Sequence, residues 1–295
     1  QSLNQLFKIL DTMMAAHISA NAVSTVAYLS QINMAISALG GGLAVGASIK
    51  ISEAYGEGNF ELVKRRVSTL FALCGLLGMA ILAILIPVAP HFLRLANTPE
   101  EFIEEGTVYF ILELVSLVII FFNNVYIAIE RARGNSKRIL NLNMMVIGIK
   151  LSLTAFFVYV LKGGINYISI ATIVSQLALL GVAVFYMNAK ENVFGFSWKA
   201  ISFRKLVVAP MIKLSVPVIV EKMAFSLGKV VVNSMSTVYG TLTVGALGIS
   251  NNIAKNTKII IFNYYTIYRQ QLKVLFYVLK LFAAFYSLKL AIRRL

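Results

Sequence analysis

Cysteine is nearly absent. Cys74 is the only one in 295 residues, so no intrachain disulfide forms and no thiolate cluster can hold a metal. It lies in an apolar run and reads as a small packing residue. Histidine is almost as scarce: His17 and His91 both fall at helix ends without a partner at ligand spacing, which points to solvated or capping roles rather than a metal site. Gly40, Gly41, Gly42 and Gly46 follow no strand and lead to no Lys-Ser/Thr pair, so close helix packing fits them better than a phosphate cradle. No basic stretch with a cleavage site opens the chain, so no signal peptide is visible, and a start at Gln1 suggests that an initial portion is missing. Charge is sparse too. Only 13% of residues are charged, with 12 acids against 27 Lys and Arg.

What is abundant is apolar surface. Hydrophobic residues make up 59% of the chain and the mean hydropathy is +0.80, more than a globular core of this length can bury. The sequence therefore reads as an all-α polytopic membrane protein with the bilayer as partner. A net charge of +15 would suggest nucleic acid in a soluble chain, but here the cations sit in short segments between apolar runs, and no nucleic-acid partner is expected. At about 20 residues per crossing, spans are predicted to about Ala16 and over about 22–53, 66–92, 102–130, 137–161, 165–188, 207–239 and 243–257. "GEGNFELVKRR", "ERARGNSKR" and "NAKENVFGFSWKAISFRK" are rich in Lys and Arg; "HISANA", "ANTPEEFIEEG" and "LKGGINY" are not. The alternation gives one topology, with the first helix running from cytoplasm to outside in the cell membrane. After Thr257 the pattern stops, and the basic aromatic tail is either one more span or an interfacial helix.

A slide of 221 residues lays "MAAHISANAVSTVAYLSQI" on "MSTVYGTLTVGALGISNNI", pairing Met14 with Met235, Val23 with Val244 and Ile32 with Ile253. Identities are few, but the layout of helix end, polar turn and small-residue helix start is shared, with the same sidedness. That implies a parallel six-helix repeat whose second copy stops after two helices. The expected organisation is a first lobe over 1–190, an inter-lobe linker over 191–206, the start of a second lobe over 207–257, and an atypical tail over 258–295.

"DTMMAAHISANAVSTVAYLSQI" followed by "LGGGLAVGASIKISEAYGEGNFELVKRRV" is similar to the end of the first helix through the third helix of the multidrug and toxic compound extrusion (MATE) transporters, in the multidrug/oligosaccharidyl-lipid/polysaccharide flippase superfamily. The resemblance continues in order through "VYF", "ERARGNSK", "ISIATIVSQ", "LSVP" and "YGTLTVGALGISNNI", covering about residues 1–257. It implies a twelve-helix, two-lobed fold with a central cavity that opens alternately to each face. By that comparison the chain is incomplete, lacking the start of the first helix and the last four helices.

Charged residues inside the spans are the candidate sites. Asp11 lies about five to eight residues before the outer end of its helix, roughly 7–12 Å deep. An acid at that depth is expensive, and the resemblance implies a proton-responsive role; a structural ion pair is the alternative. Lys150 lies about 12 residues from both Arg138 and Lys162, roughly 18 Å from each end of its helix, too deep for its stem to reach water. It must face protein and meet an acid, first Asp11 and second Glu113. Glu113 shares a stripe with Tyr109, and Thr154 and Thr172 are expected at a depth similar to Asp11, so four helices contribute to one polar layer. Many relatives carry Asn and Asp where this chain has Lys150 and Thr154. A cation beside Asp11 lowers its pKa and repels sodium, so a proton is favoured over sodium as coupling ion. Glu221, one turn after Pro217, is the corresponding candidate of the second lobe; Pro217 makes a hinge plausible, and Lys222 and Lys229 are close enough in sequence to neutralise the acid.

The leading expectation is a cation-coupled antiporter for multidrug efflux, exporting small amphipathic or cationic organic substrates and xenobiotics. It would work without cofactor or covalent chemistry, as a monomer when full length. One alternative is a lipid-linked saccharide flippase of the same superfamily, for which Lys150, Lys222 and Lys229 would line the cavity. Another is a truncated, non-transporting product.

Overall fold

A computed structural model describes residue 15 and residues 18–95, 98, 100–188 and 192–236. Asp11 and the rest of the first helix apart from Ala15, His17, the second copy of the repeat after Ser236, the helix expected over 243–257 and the tail lie outside the described residues. Every regular element among the described residues is helical. These are α1 Ala20–Gly56, α2 Phe60–Leu85, α3 Ala89–Leu95, α4 Glu100–Ala132, α5 Ser136–Ala155 with a π-helical turn Phe156–Val160, α6 Ile165–Met187 and α7 Lys205–Ser236. A 3-10 turn, Trp198–Ala200, lies between α6 and α7.

Local chemistry sets the ends. Ser19 Oγ accepts the Ala22 N–H at 2.9 Å and caps α1; Asn59 Oδ1 accepts the Leu62 N–H at 3.1 Å and caps α2. Two Gly-Asn turns are built alike. Gly58 and Gly134 take φ of +72° and +73°, and the N–H of the following Asn59 or Asn135 returns to the carbonyl of Ala54 or Glu130 at 3.0 and 2.9 Å. Only glycine enters this left-handed conformation without strain, and the returning bonds satisfy the last carbonyls of α1 and α4.

Among the described residues, five helices are long and apolar enough to cross a membrane: Ser24–Gly56, Phe60–Leu85, Gly106–Ala132, Ser136–Val160 and Ile165–Met187. The span expected over 66–92 needs correction. It starts earlier and breaks after Leu85, because Pro87 has no N–H to continue the ladder; the chain restarts as α3, with Pro90 in its first turn, where that donor is not needed. The span expected over 207–239 is a helix of 32 residues, but Lys213, Glu221, Lys222 and Lys229 keep it out of the apolar set. Its polar groups therefore need protein or water beside them.

α1 is the centre, packed on α7, α4 and α2, while α6 is held between α4 and α5. Fully buried Tyr28, Leu29, Ile51, Leu70, Phe110, Leu114 and Phe121 fill the core, whereas Leu76, Met79, Ile84, Val160 and Phe185 are exposed. Apolar residues on the outside as well as the inside are what a lipid solvent allows. Glycine brings α1 against its neighbours. A Cβ at Gly40 would stand 2.1 Å from the Phe121 ring, at Gly42 3.0 Å from the Ile219 backbone, and at Gly46 2.4 Å from Ser215 Cα. Gly42 and Gly46 are one turn apart, as are Ile219 and Ser215, so the two backbones approach along an antiparallel seam without intervening side chains. Ser215 Oγ accordingly reaches the Leu43 carbonyl at 3.2 Å.

At the end of the bundle that carries the basic loops, Glu130 is fully buried, with Arg133 at 3.0 Å, Asn135 Nδ2 at 3.1 Å and Arg138 at 3.5 Å. The two guanidiniums stack on Phe194 and Tyr186, 4.5 and 4.3 Å from the ring centroids. The stretch between α6 and α7 is pinned beside them. Phe194 is 2% exposed and packs on Tyr55 with centroids 4.9 Å apart, the Ser197 N–H donates to Ser68 Oγ at 3.0 Å, and the Ser202 N–H donates to Thr69 Oγ1 at 3.0 Å.

Candidate functional site

The polar groups gather where α4, α5 and α6 meet. On α5 the buried positions are Leu142, Val146, Ile147, Lys150, Thr154 and Val158, nearly all four apart on a single stripe. Lys150 is therefore 8% exposed and faces protein, as its depth requires, and Thr154 is fully buried one turn further on. α5 packs chiefly on α6, whose buried stripe includes Ile168, Ser169, Thr172 and Ser175. Glu113 of α4 accepts a hydrogen bond from Ser169 Oγ at 3.0 Å, with Tyr109 buried one turn away on α4. Glu113 is half-buried, and a hydroxyl donated to a carboxylate contributes about 1.5–3 kcal/mol, more than a neutral pair.

The layer is not uniform. Thr172 is buried, but its hydroxyl donates to the Ile168 carbonyl of its own helix at 3.0 Å and so is turned back on α6. Thr154 Oγ1, by contrast, is buried with no hydrogen-bond partner among the described residues. Glu221 and Pro217 stand apart on α7, both exposed, and Glu221 forms no ion pair among the described residues. Pro217 sits inside an unbroken helix, together with Pro210. Lys222, the nearest cation in sequence, is exposed; the side chain of Lys229 lies outside the described residues.

Several groups escape a reading of the sequence. Ser169 supplies the donor to Glu113, and its signal was its place one turn before Thr172. Asn123 Nδ2 crosses from α4 to the Gln176 carbonyl and Oε1 at 2.9 and 2.8 Å. Asn33 on α1 is 7% exposed, with neither amide atom partnered among the described residues. Its helix neighbours Leu29 and Gly40 touch Gly106 and Phe121, which places Asn33 beside α4 between those two contacts. No acidic or basic spacing announces a buried asparagine.

The profile of the MatE family matches residues 1–160. A probable multidrug resistance protein, YoeA of Bacillus subtilis strain 168, is 26% identical over 220 residues, 72% of this chain and 48% of that protein. The chain thus spans about half the length of this relative. Among solved structures, an inward-facing multidrug resistance MATE family transporter of the MOP superfamily superposes with a TM-score of 0.78 at 21% identity, covering 84% of this chain and 57% of that one. A MOP superfamily transporter from Pyrococcus furiosus, described with a binding pocket of reverse polarity suggesting a different function, gives a TM-score of 0.73 at 20% identity, over 85% and 59% of the two chains. A profile match over more than half the sequence, carried on helices in the order these transporters share, makes the chain a member of the MATE family of membrane transporters.

Proposed function

We propose that this chain carries the first lobe, and the beginning of the second, of a proton-coupled multidrug antiporter that exports small amphipathic organic compounds by alternating access. The observation that carries the reading is the polar layer inside an otherwise apolar lobe: Glu113 bonded to Ser169, with Lys150 and Thr154 buried on the adjoining stripe. Charged groups at such depth are costly in a membrane and are kept where protons, ions or substrates bind. Asp11 is proposed as the acid that takes the coupling proton. Deprotonated, it pairs with Lys150, for which Glu113 is the second candidate partner; protonated, it releases that cation and lets its helix bend. Pro217 and Glu221 are proposed as hinge and coupling acid of the second lobe.

The test is export of a fluorescent organic cation from cells expressing the chain within its whole protein, with and without a pH gradient. Asp11→Asn and Lys150→Met are each expected to reduce gradient-driven export by about tenfold or more, as loss of a charge partner inside the membrane should. Full export in both variants would sink the proposal.

A further inference from the structure

Buried polar groups continue past the polar layer. Ser116, Asn123 and Glu130 of α4 are spaced two turns apart, so they share one line down the helix, from Glu113, one turn before Ser116, to the basic end. From Ser116 to Glu130 the line is about 20 Å long. Each of the three is at most 2% exposed, as is Tyr126, one turn before Glu130. The line faces α6. Asn123 Nδ2 donates to Gln176 on α6, as Ser169 of α6 donates to Glu113, and the two contacts come in the same order on both helices. Thr172 and Ser175, both buried, therefore lie level with the stretch between Glu113 and Asn123.

Three members of the line keep a polar atom unpaired. Ser116 Oγ, Asn123 Oδ1 and the Tyr126 hydroxyl have no hydrogen-bond partner among the described residues, though Glu130 and Arg138 stand near enough to Tyr126 for their charges to act on it. A buried helical hydroxyl commonly turns to its own backbone, as Ser175 does to the Thr172 carbonyl at 2.8 Å. Ser116 does not. Such atoms are costly in an apolar interior, and a polar seam of small side chains is where interior water pairs them.

We infer that the seam between α4 and α6, from Glu113 to Glu130, is a proton path filled by waters that Ser116, Asn123 and Tyr126 hold. Protonated Glu113 gives its proton to the first water and is left as a carboxylate bonded to Ser169. Each water and hydroxyl below it takes one proton and passes on another, so every member is restored. Asn123 exchanges none; its Oδ1 accepts from a water and orients it, while its Nδ2 is given to Gln176. The last proton reaches the Glu130 carboxylate and leaves to water as Arg133 and Arg138, both partly exposed, re-form their ion pairs. This rests on the proton-coupled reading of transport and adds the route the proton takes.

The whole protein is sealed into liposomes with a fluorescent organic cation, and two rates are read: transport driven by a pH gradient, and exchange of inner for outer compound without a gradient, which moves no net proton. Ser116→Ala and Tyr126→Phe each remove only a hydroxyl without a hydrogen-bond partner, so the fold should not change. Both are expected to slow gradient-driven transport by about tenfold or more and to leave exchange unchanged. Unchanged gradient-driven transport in both variants overturns the path. An equal fall of the two rates overturns it too, since it marks a structural role. Radiolysis of bound water, which oxidises the side chains that the water touches, decides the path separately. Tyr126, shielded from bulk solvent, should be labelled, and its escape from labelling overturns the path. Labelled Tyr126 in a protein that shows no gradient-driven transport would uphold the water line and overturn the coupling reading alone.

Discussion

Single polar atoms carry the consequences in this apolar bundle. Ser169 Oγ is the donor given to Glu113, so Ser169→Ala should leave a carboxylate oxygen short of a partner at a cost of about 1–3 kcal/mol, while Ser169→Thr should keep most of the bond. Thermal unfolding in detergent reads the difference, and equal midpoints for Ala and Thr would show that the bond contributes nothing. Asn33 is the opposite case, a buried amide whose two polar atoms find no partner among the described residues. Asn33→Leu, close to it in size, should therefore raise stability by about 1–3 kcal/mol. A lower unfolding midpoint would reveal a partner for Asn33. Lys150 was legible in the sequence because depth alone leaves an ammonium no route to water. Ser169 and Asn33 were not, since neutral polar residues occur on every face of a membrane helix.

Helices in this chain are set by their smallest residues and their breaks. The seam between α1 and α7 depends on Gly42 and Gly46, and a methyl group on Gly46 would fall 2.4 Å from Ser215 Cα, against backbone that has no rotamer to yield. Gly46→Ala is expected to cost roughly 1–3 kcal/mol by overpacking, whereas Gly148→Ala, with nothing within 4 Å of its new methyl, should be neutral or stabilise by about 0.5–1 kcal/mol. Parallel thermal unfolding of the two variants checks this, and similar losses in both would rule out the seam as the cause. The segment between α6 and α7 is fastened to α1 and α2, because Tyr55, Ser68 and Thr69 hold it. Ser68→Ala combined with Thr69→Val should speed tryptic cleavage after Lys199 and Arg204 severalfold, two side-chain bonds being worth about 1–3 kcal/mol of local opening. The packing role of the glycines was legible from the absence of any strand or phosphate-binding Lys. That the linker is pinned was not, because Phe194 and Ser197 meet their partners only after four helices have been stacked.

For the whole molecule, alternating basic and non-basic loops predict the topology. Single cysteines at Gly58 and Asn135, in a Cys74→Ser background, should react with an impermeant maleimide only in inverted vesicles, and one at Gly164 only in right-side-out cells. The reverse pattern would invert the assignment. The sequence by itself determined that the chain lives in a bilayer, roughly where the described helices lie and which family they resemble, because apolar run length and loop charge are local properties. It also required Lys150 to face inward. Only the tertiary structure decided which groups meet: Glu113 with Ser169, Glu130 with Arg133 and Arg138, and Asn123 with Gln176. These contacts depend on rotation and offset between helices distant in the chain, which the packing of small residues such as Gly42 and Gly46 sets and no local pattern records.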